Sequence, residues 1–395
     1  MPKSENSTKK RCVPWARIAL LCMLVGTCLF VAGWLSGSRG GYIYFNNGLQ
    51  VVPIRQVQPL QGRETIEMPG NITSLFLNTG SAAVELIPSD VLSISIPSQL
   101  GHNHTISGNN LNVYTHMPSQ QGRRSGIGAS LFSFNLSVNP FSSRQHTVRV
   151  YVPQNVTAIN ARSTSGSITI LDGINTQSLS LTSNSGRIDV RGGQHVQTRL
   201  QATSGNIGVV AYLLGDTYAN ANSGNIAITC QSAGSGTNLI NATVRTTSGN
   251  ISISGINTHT IDVRANSGSI NLRDGQHQNV NFRTTSGAIR MDAYMLGIVN
   301  AQANSGAISI IDRNTSLQNA IGNLQIYLRT TSGRINYSTS LPLEEFAYNV
   351  NVTSGNIHIG NTRHTGRNAI GGNTAANAPS ITARANSGSV NLLFN

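Results

Sequence analysis

The arginines carry the one pattern in this chain that suggests contact chemistry. No lysine follows residue 10, and all 22 basic residues beyond residue 35 are arginine. Against 13 acids in the same stretch, this gives a formal charge of +9 (22 minus 13). Six of these residues stand four positions before the glycine of a recurring Ser-Gly phrase: Arg162, Arg245, Arg264, Arg283, Arg329 and Arg384. The residues on both sides of this position are inward ones, so in a strand it points outward. Other copies of the phrase place Thr182, Gln201, Asn220, Gln302 and Asn351 there. Stacked units would align them into a polar, arginine-rich stripe. Guanidinium forks suit carboxylate, sulfate and phosphate. The expected ligand is therefore an anionic glycan, a cell-wall polymer or lipopolysaccharide. The competing reading is that outward arginines keep a face soluble while their stems cover apolar surface. Nucleic acid is not expected, because aromatic residues make up only 5% of the chain.

Other chemistry is thinly represented. The acids beyond residue 35 are Glu64, Glu67, Glu85, Asp90, Asp172, Asp189, Asp216, Asp262, Asp274, Asp292, Asp312, Glu344 and Glu345. A polysaccharide-acting enzyme needs carboxylates converging on one groove. Here the repeats carry about one acid each or fewer, and Asp172-Gly173 and Asp274-Gly275 read as turns. No catalytic residue is assigned, and the expected protein is not an enzyme. His102-x-His104 with His116 nearby is a weak metal pattern that no cysteine joins. No metal and no cofactor is expected. His195 and His277 occupy matching places in a duplicated segment, and the spacing puts both in equivalent loops.

The elements that must position these residues come from the repeat itself. The glycines of the Ser-Gly phrase fall at 166, 186, 205, 224, 249, 268, 287, 306, 333, 355 and 388, most of them 19 or 20 residues apart. After each comes an apolar–any–apolar triplet, such as Ile168-Thr-Ile170 or Ile270-Asn-Leu272. Alternation with period two marks half-buried strands. The residues before Ser-Gly alternate as well, as in Val263 and Ala265, or Phe282 and Thr284. Each unit reads as strand, turn, strand, Ser-Gly turn, and a fixed period of this kind means a stack. The expected class is all-β, a repetitive parallel β-solenoid (β-helix-like), with an antiparallel stack as the alternative. The glycine supplies either a left-handed backbone or a close approach. The phrase alternates Thr-Ser-Gly with Asn-Ser-Gly from 166 to 333, and segment 162–244 is echoed by 245–328 at an offset of 82. Coils of about 19 residues with one Ser-Gly corner, or of about 38 with two, both fit. The Gly-, Asn- and Ala-rich stretch 360–380 reads as a flexible loop.

Residues 18–35 form an uncharged apolar run behind Lys3, Lys9, Lys10, Arg11 and Arg17. The run predicts one N-terminal transmembrane signal-anchor helix, with a cleaved signal peptide as the rival. The expected partition is a cytoplasmic basic tail 1–17, the span 18–35, a linker 36–60, an N-terminal β region 61–160 and the Ser-Gly solenoid 161–395. The expected location is a single-pass membrane protein with its repeats outside the cytoplasm. Cys230 is the only cysteine beyond the span, so no internal disulfide can staple the repeats.

The repeats, together with Leu75-Phe-Leu-Asn-Thr-Gly80, Val84-Glu-Leu86, Val91-Leu-Ser-Ile-Ser-Ile96, Asn110-Leu-Asn-Val113 and Val148-Arg-Val-Tyr-Val-Pro153, carry a family resemblance. Over about 61–395 the chain resembles the mostly bacterial β-strand-repeat family called "putative adhesins". The resemblance implies a solenoid-like fold and no established enzymatic activity. The expected function is a non-enzymatic surface or envelope module for binding or scaffolding. The alternatives are a polysaccharide-acting β-helix enzyme and a ligand-free structural spacer.

Overall fold

The computed structural model describes residues 41–45, 49–53, 62–116, 146–231, 239–316, 324–375 and 377–394. The chain divides into two units, Met1–Gln61 and Gly62–Asn395. In the first, Gly41–Phe45 and Leu49–Pro53 pair antiparallel. The tail 1–17 and the apolar run 18–35 lie outside the described residues. Among the described residues no helix is long and apolar enough to cross a membrane.

The second unit is a stack of two-strand coils. The strand before each Ser-Gly corner pairs parallel with its counterpart in the next coil, and these strands make face A. Ala158–Ser163, Thr176–Ser183, Gln194–Ala202 and Leu213–Ala221 follow one another in this way. The strand after the corner does the same and makes face B, as in Ile168–Ile170, Ile188–Arg191 and Ile207–Ala211. Each coil therefore takes about 19 residues and has one Ser-Gly corner, and Thr and Asn alternate along that single corner. The parallel reading holds along the stack; among the described residues antiparallel pairs within it occur only at its ends.

Both faces turn one side inward onto a common core. Ile251, Ile253, Ile261 and Val263 supply one coil's share, and all four are fully buried. Burying such a side chain stabilises by about 1.5–3 kcal/mol, so a coil is stable only with neighbours above and below. The longer steps in the repeat do not disturb the ladder. Thr217 pairs with Ala242 and Val299 with Ile326 across the two insertions.

The glycine column is a matter of close approach. A Cβ on Gly186 would strike the carbonyl oxygen of Gly166, one on Gly205 that of Gly186, and so on to Gly333 against Gly306. Only some of these glycines are also left-handed, for example Gly388 with φ 138°. Beside them, Thr246, Thr284 and Thr330 turn inward and donate through Oγ1 to the carbonyls of Gly224, Gly268 and Gly306.

At both ends the coil order in space departs from the order in sequence. The coil Ser74–Asn78 and Ala83–Pro88 packs against the first Ser-Gly coil. The later strands Asn110–His116 and Thr147–Val152 stack outside it. Antiparallel strands Gly101–Ser107, Ser93–Pro97 and Arg63–Glu67 finish that end. At the other end the last strands of the chain, Ser380–Ser387 and Val390–Phe394, insert between two earlier coils. They pair with Gln325–Ser332 and Ile335–Thr339 on one side, and with Ala347–Ser354 and Ile357–Ile359 on the other. The stretch 360–380 is thus no simple loop. Thr362–His364 and Asn368–Gly372 pair antiparallel with the outermost coil and close the stack. Composition misled because these strands are short and edge-bound, without the alternation of the coil strands.

Candidate functional site

The six arginines lie where the repeat register puts them, exposed on face A. Pairing runs Arg162, Thr182, Gln201, Asn220, Arg245, Arg264, Arg283, Gln302, Arg329, Arg384, Asn351. Arg245, Arg264 and Arg283 occupy three successive coils. Arg384 stands beside Arg329 because the C-terminal coil is inserted there, ahead of Asn351. The structure therefore brings five of the six together and leaves Arg162 four coils away, its guanidinium 5.7 Å from the Phe76 ring centroid.

Local partners hold part of the column. Asp262 takes Arg245 at 3.3 Å and Arg264 at 3.2 Å, and accepts from Asn281 Nδ2 at 3.0 Å. Arg283 donates to Gln302 Oε1 at 2.8 Å. Arg329 and Arg384 have no ion pair among the described residues. The next outward column, two residues nearer the strand start, was not singled out from the sequence. It contains Arg199, Tyr218, Thr243, Asp262, Asn281, Asn300, Tyr327 and Thr382. Arg199 lies 4.6 Å over the Tyr218 ring. Writing out the repeat two positions earlier would have shown this column.

Face B differs. Arg187 and Arg191 share Asp189, and Arg149 pairs with Glu85 at 3.1 Å. Arg313 bridges Asp292 and Asp274. Arg290 and Arg334 have no ion pair among the described residues, and Arg273 acts on Asp292, its partner in register; the three sit in different columns, so no two of them are stacked neighbours.

The two carboxyls shifted from the usual range do not make an acid pair. Hydrogen bonding from Arg313 holds Asp292 below the usual carboxylate range. The carboxyl pushed the other way is Asp312, raised to about 6 mainly by burial. It accepts from Tyr337 Oη at 3.1 Å and from the Asn314 backbone N–H at 3.1 Å. Asp292 is opposite Ile311 and Asp312 opposite Ala293, so the two carboxyls leave opposite sides of one sheet.

The paired histidines are core residues on strands, not loop residues. His195 Nδ1 lies 2.9 Å from Thr176 Oγ1, and His277 Nδ1 lies 2.8 Å from Thr258 Oγ1. His277 Nε2 faces the Asp274 carbonyl at 3.1 Å, so that nitrogen carries the proton. Burial lowers His277 to about 4 and lowers His195 in the same direction. Of the N-terminal histidines, His102 lies 3.8 Å from Glu64, and Gly101 is the partner of His116. Among the described residues no three His, Cys, Asp or Glu side chains gather as metal ligands do.

Comparison with known proteins follows the same repeat. A crystal structure from Bacteroides fragilis NCTC 9343, named a putative adhesin, is 11% identical, with 85% of this chain and 99% of that chain covered and a TM-score of 0.22. One from Clostridium sporogenes ATCC 15579, named a putative cell adhesion protein, is 8% identical over 85% and 99%, with a TM-score of 0.16. Scores this low leave both without weight for fold or function. No curated protein matches the chain. The family model described as Toastrack DUF4097 matches twice in tandem, over residues 72–211 and 210–393, which divide the stack into two halves. The chain belongs to the Toastrack DUF4097 family.

Proposed function

We propose that this protein is a non-enzymatic binding or scaffolding module of a cell surface or envelope. Residues 18–35 anchor it in the membrane, with the tail 1–17 in the cytoplasm and the stack outside. The stack contacts anionic glycan or cell-wall polymer through the arginine column of face A. The observation that carries this reading is register. Outward arginines recur at one position of successive coils, where only the fold makes them neighbours. Solubility alone would be served as well by scattered arginines, as on face B. Guanidiniums in register on one sheet face are arranged beforehand for anions.

The test is binding of the full chain, in neutral detergent, to a panel of neutral and anionic glycans and envelope polymers at low and physiological salt. A second sample carries Arg245→Gln, Arg264→Gln and Arg283→Gln together. Selective, salt-sensitive binding that the triple variant loses supports the reading. Equal binding by both samples removes the arginine column as the binding face, and binding by neither leaves a ligand-free spacer.

A further inference from the structure

We infer that face A is a track for one linear acidic polysaccharide, which lies along the stack axis over the six coils from Arg245 to Arg384. This rests on the reading of the arginine column as an anion-binding surface and adds the ligand's direction, length and class.

The direction follows from where charge is continuous. Along any one strand, the outward neighbour of each arginine is not cationic. Arg245 has Thr243, Arg264 has Asp262, Arg283 has Asn281, Arg329 has Tyr327 and Arg384 has Thr382. Across strands, five of six successive coils present arginine, with Gln302 the single interruption. A flexible anion meets successive positive charges only by crossing the strands.

The length follows from the rung spacing. Five steps of about 4.8 Å make a track of about 24 Å. Arg384 belongs to it only because the C-terminal coil is inserted beside Arg329. In sequence order Asn351 would come between them.

The class follows from the flanking column. Thr243, Asn281, Asn300, Tyr327 and Thr382 offer hydroxyl, amide and phenol groups beside the arginines, with Asp262 as the one acid. Such groups pair with sugar hydroxyls, and Asp262 opposes a polymer charged along its whole width. A pyranose in an extended 1,4-linked chain advances by about one rung, so each sugar keeps step with one coil. A uronate or sulfated polysaccharide satisfies both columns, whereas polyphosphate satisfies only one.

The experiment is calorimetric titration of the full chain in neutral detergent with linear 1,4-linked oligogalacturonates of increasing length, at one low salt concentration. Polyphosphate of matched charge and an uncharged cello-oligosaccharide series run beside them. Affinity should rise with each sugar to about six and then level off, in step with the rungs. Arg384→Gln should weaken the longest oligomer on the order of tenfold and shorten the plateau. Arg162→Gln, four coils away, should change nothing, and melting curves of both variants should match the parent. A plateau at two sugars would overturn the axial track. Equal affinity for polyphosphate would overturn the polysaccharide class; in either case the column stays an anion site. Binding of no anion at all would remove the proposed function as well.

Discussion

At the scale of single residues, the repeat is held by what is missing. Each Ser-Gly glycine after Gly166 lies against the carbonyl of the glycine in an adjacent coil, and Gly166 against that of Ala82, so a methyl group there has backbone, not a movable side chain, in its way. Gly268→Ala should lower stability by about 1–3 kcal/mol, as overpacking does. Gly70→Ala, where an added Cβ meets nothing within 4 Å, should stay near the parent; denaturant midpoints compare the two directly. Three buried groups set the pH response, with His195 lowered in the same direction as His277. His277 sits below its ordinary 6.5, at about 4. Its contribution is full above 6.5 and is lost as pH falls toward 4. Asp312 sits above its ordinary 3.8, at about 6, so the folded state holds its proton more tightly. Its contribution is full below 3.8 and is lost as pH rises through 6. The His277 and Asp312 shifts each correspond to a stability change of order 3 kcal/mol, and the windows overlap with opposite signs. In a His195→Gln background the melting midpoint should be nearly level between pH 4 and 6. It should fall with rising pH when His277→Gln is added and fall with decreasing pH when Asp312→Asn is added. Parallel slopes in all three proteins would show that neither group governs the response.

At the scale of elements, the inserted C-terminal coil deserves its own test. Strands Ser380–Ser387 and Val390–Phe394 separate two coils that precede them in the chain. Truncation after Pro379 should free Ala347–Ser354 and Ile357–Ile359 from the stack while the coils of Gly249 to Gly306 keep theirs, since coils stabilise only their neighbours. Hydrogen exchange reads this directly. Retained protection in 347–359 would mean that the outer coil docks on the Gly333 coil unaided. The same element shows what was legible in the sequence. Alternation identified Ile270, Leu272, Val263 and Phe282 as inward, and all are buried. Register placed the six arginines outward in one column. Neighbour identity was not legible, because every coil presents the same pattern of small apolar residues and either the Gly355 or the Gly388 coil fits against Gly333. Hence the adjacency of Arg329 and Arg384 came only from the structure. The cap strands also escaped, since Asn368-Ala-Ile-Gly-Gly372 has no period to read, and Ile370 faces solvent. His195 and His277 looked like loop residues because Gly-Gln-His resembles a turn, yet the strand continues through both.

At the scale of the whole molecule, the stack is nearly one-dimensional, and the family model matches each of its two halves. Residues 72–211 carry the N-terminal cap except its strand Arg63–Glu67, and residues 210–393 carry the C-terminal one. Capped ends matter because an open parallel edge invites another chain, and antiparallel closing strands blunt it at both ends. Coupling between the halves runs through the coils that carry Gly205 and Gly224. A Cβ on Gly224 would meet the Gly205 carbonyl at that junction. The parent should unfold in one calorimetric transition, because nearest-neighbour contacts link every coil to the next. Gly224→Ala weakens one interface and leaves both caps intact, so it should split unfolding into two transitions, one for each half. The C-terminal half contains the five arginines from Arg245 to Arg384 and its own cap. Its ligand should therefore raise only its own transition in that variant, through preferential binding to the folded state. A single transition lowered as a unit would show instead that the stack folds as one body and that the tandem match records ancestry without independent stability.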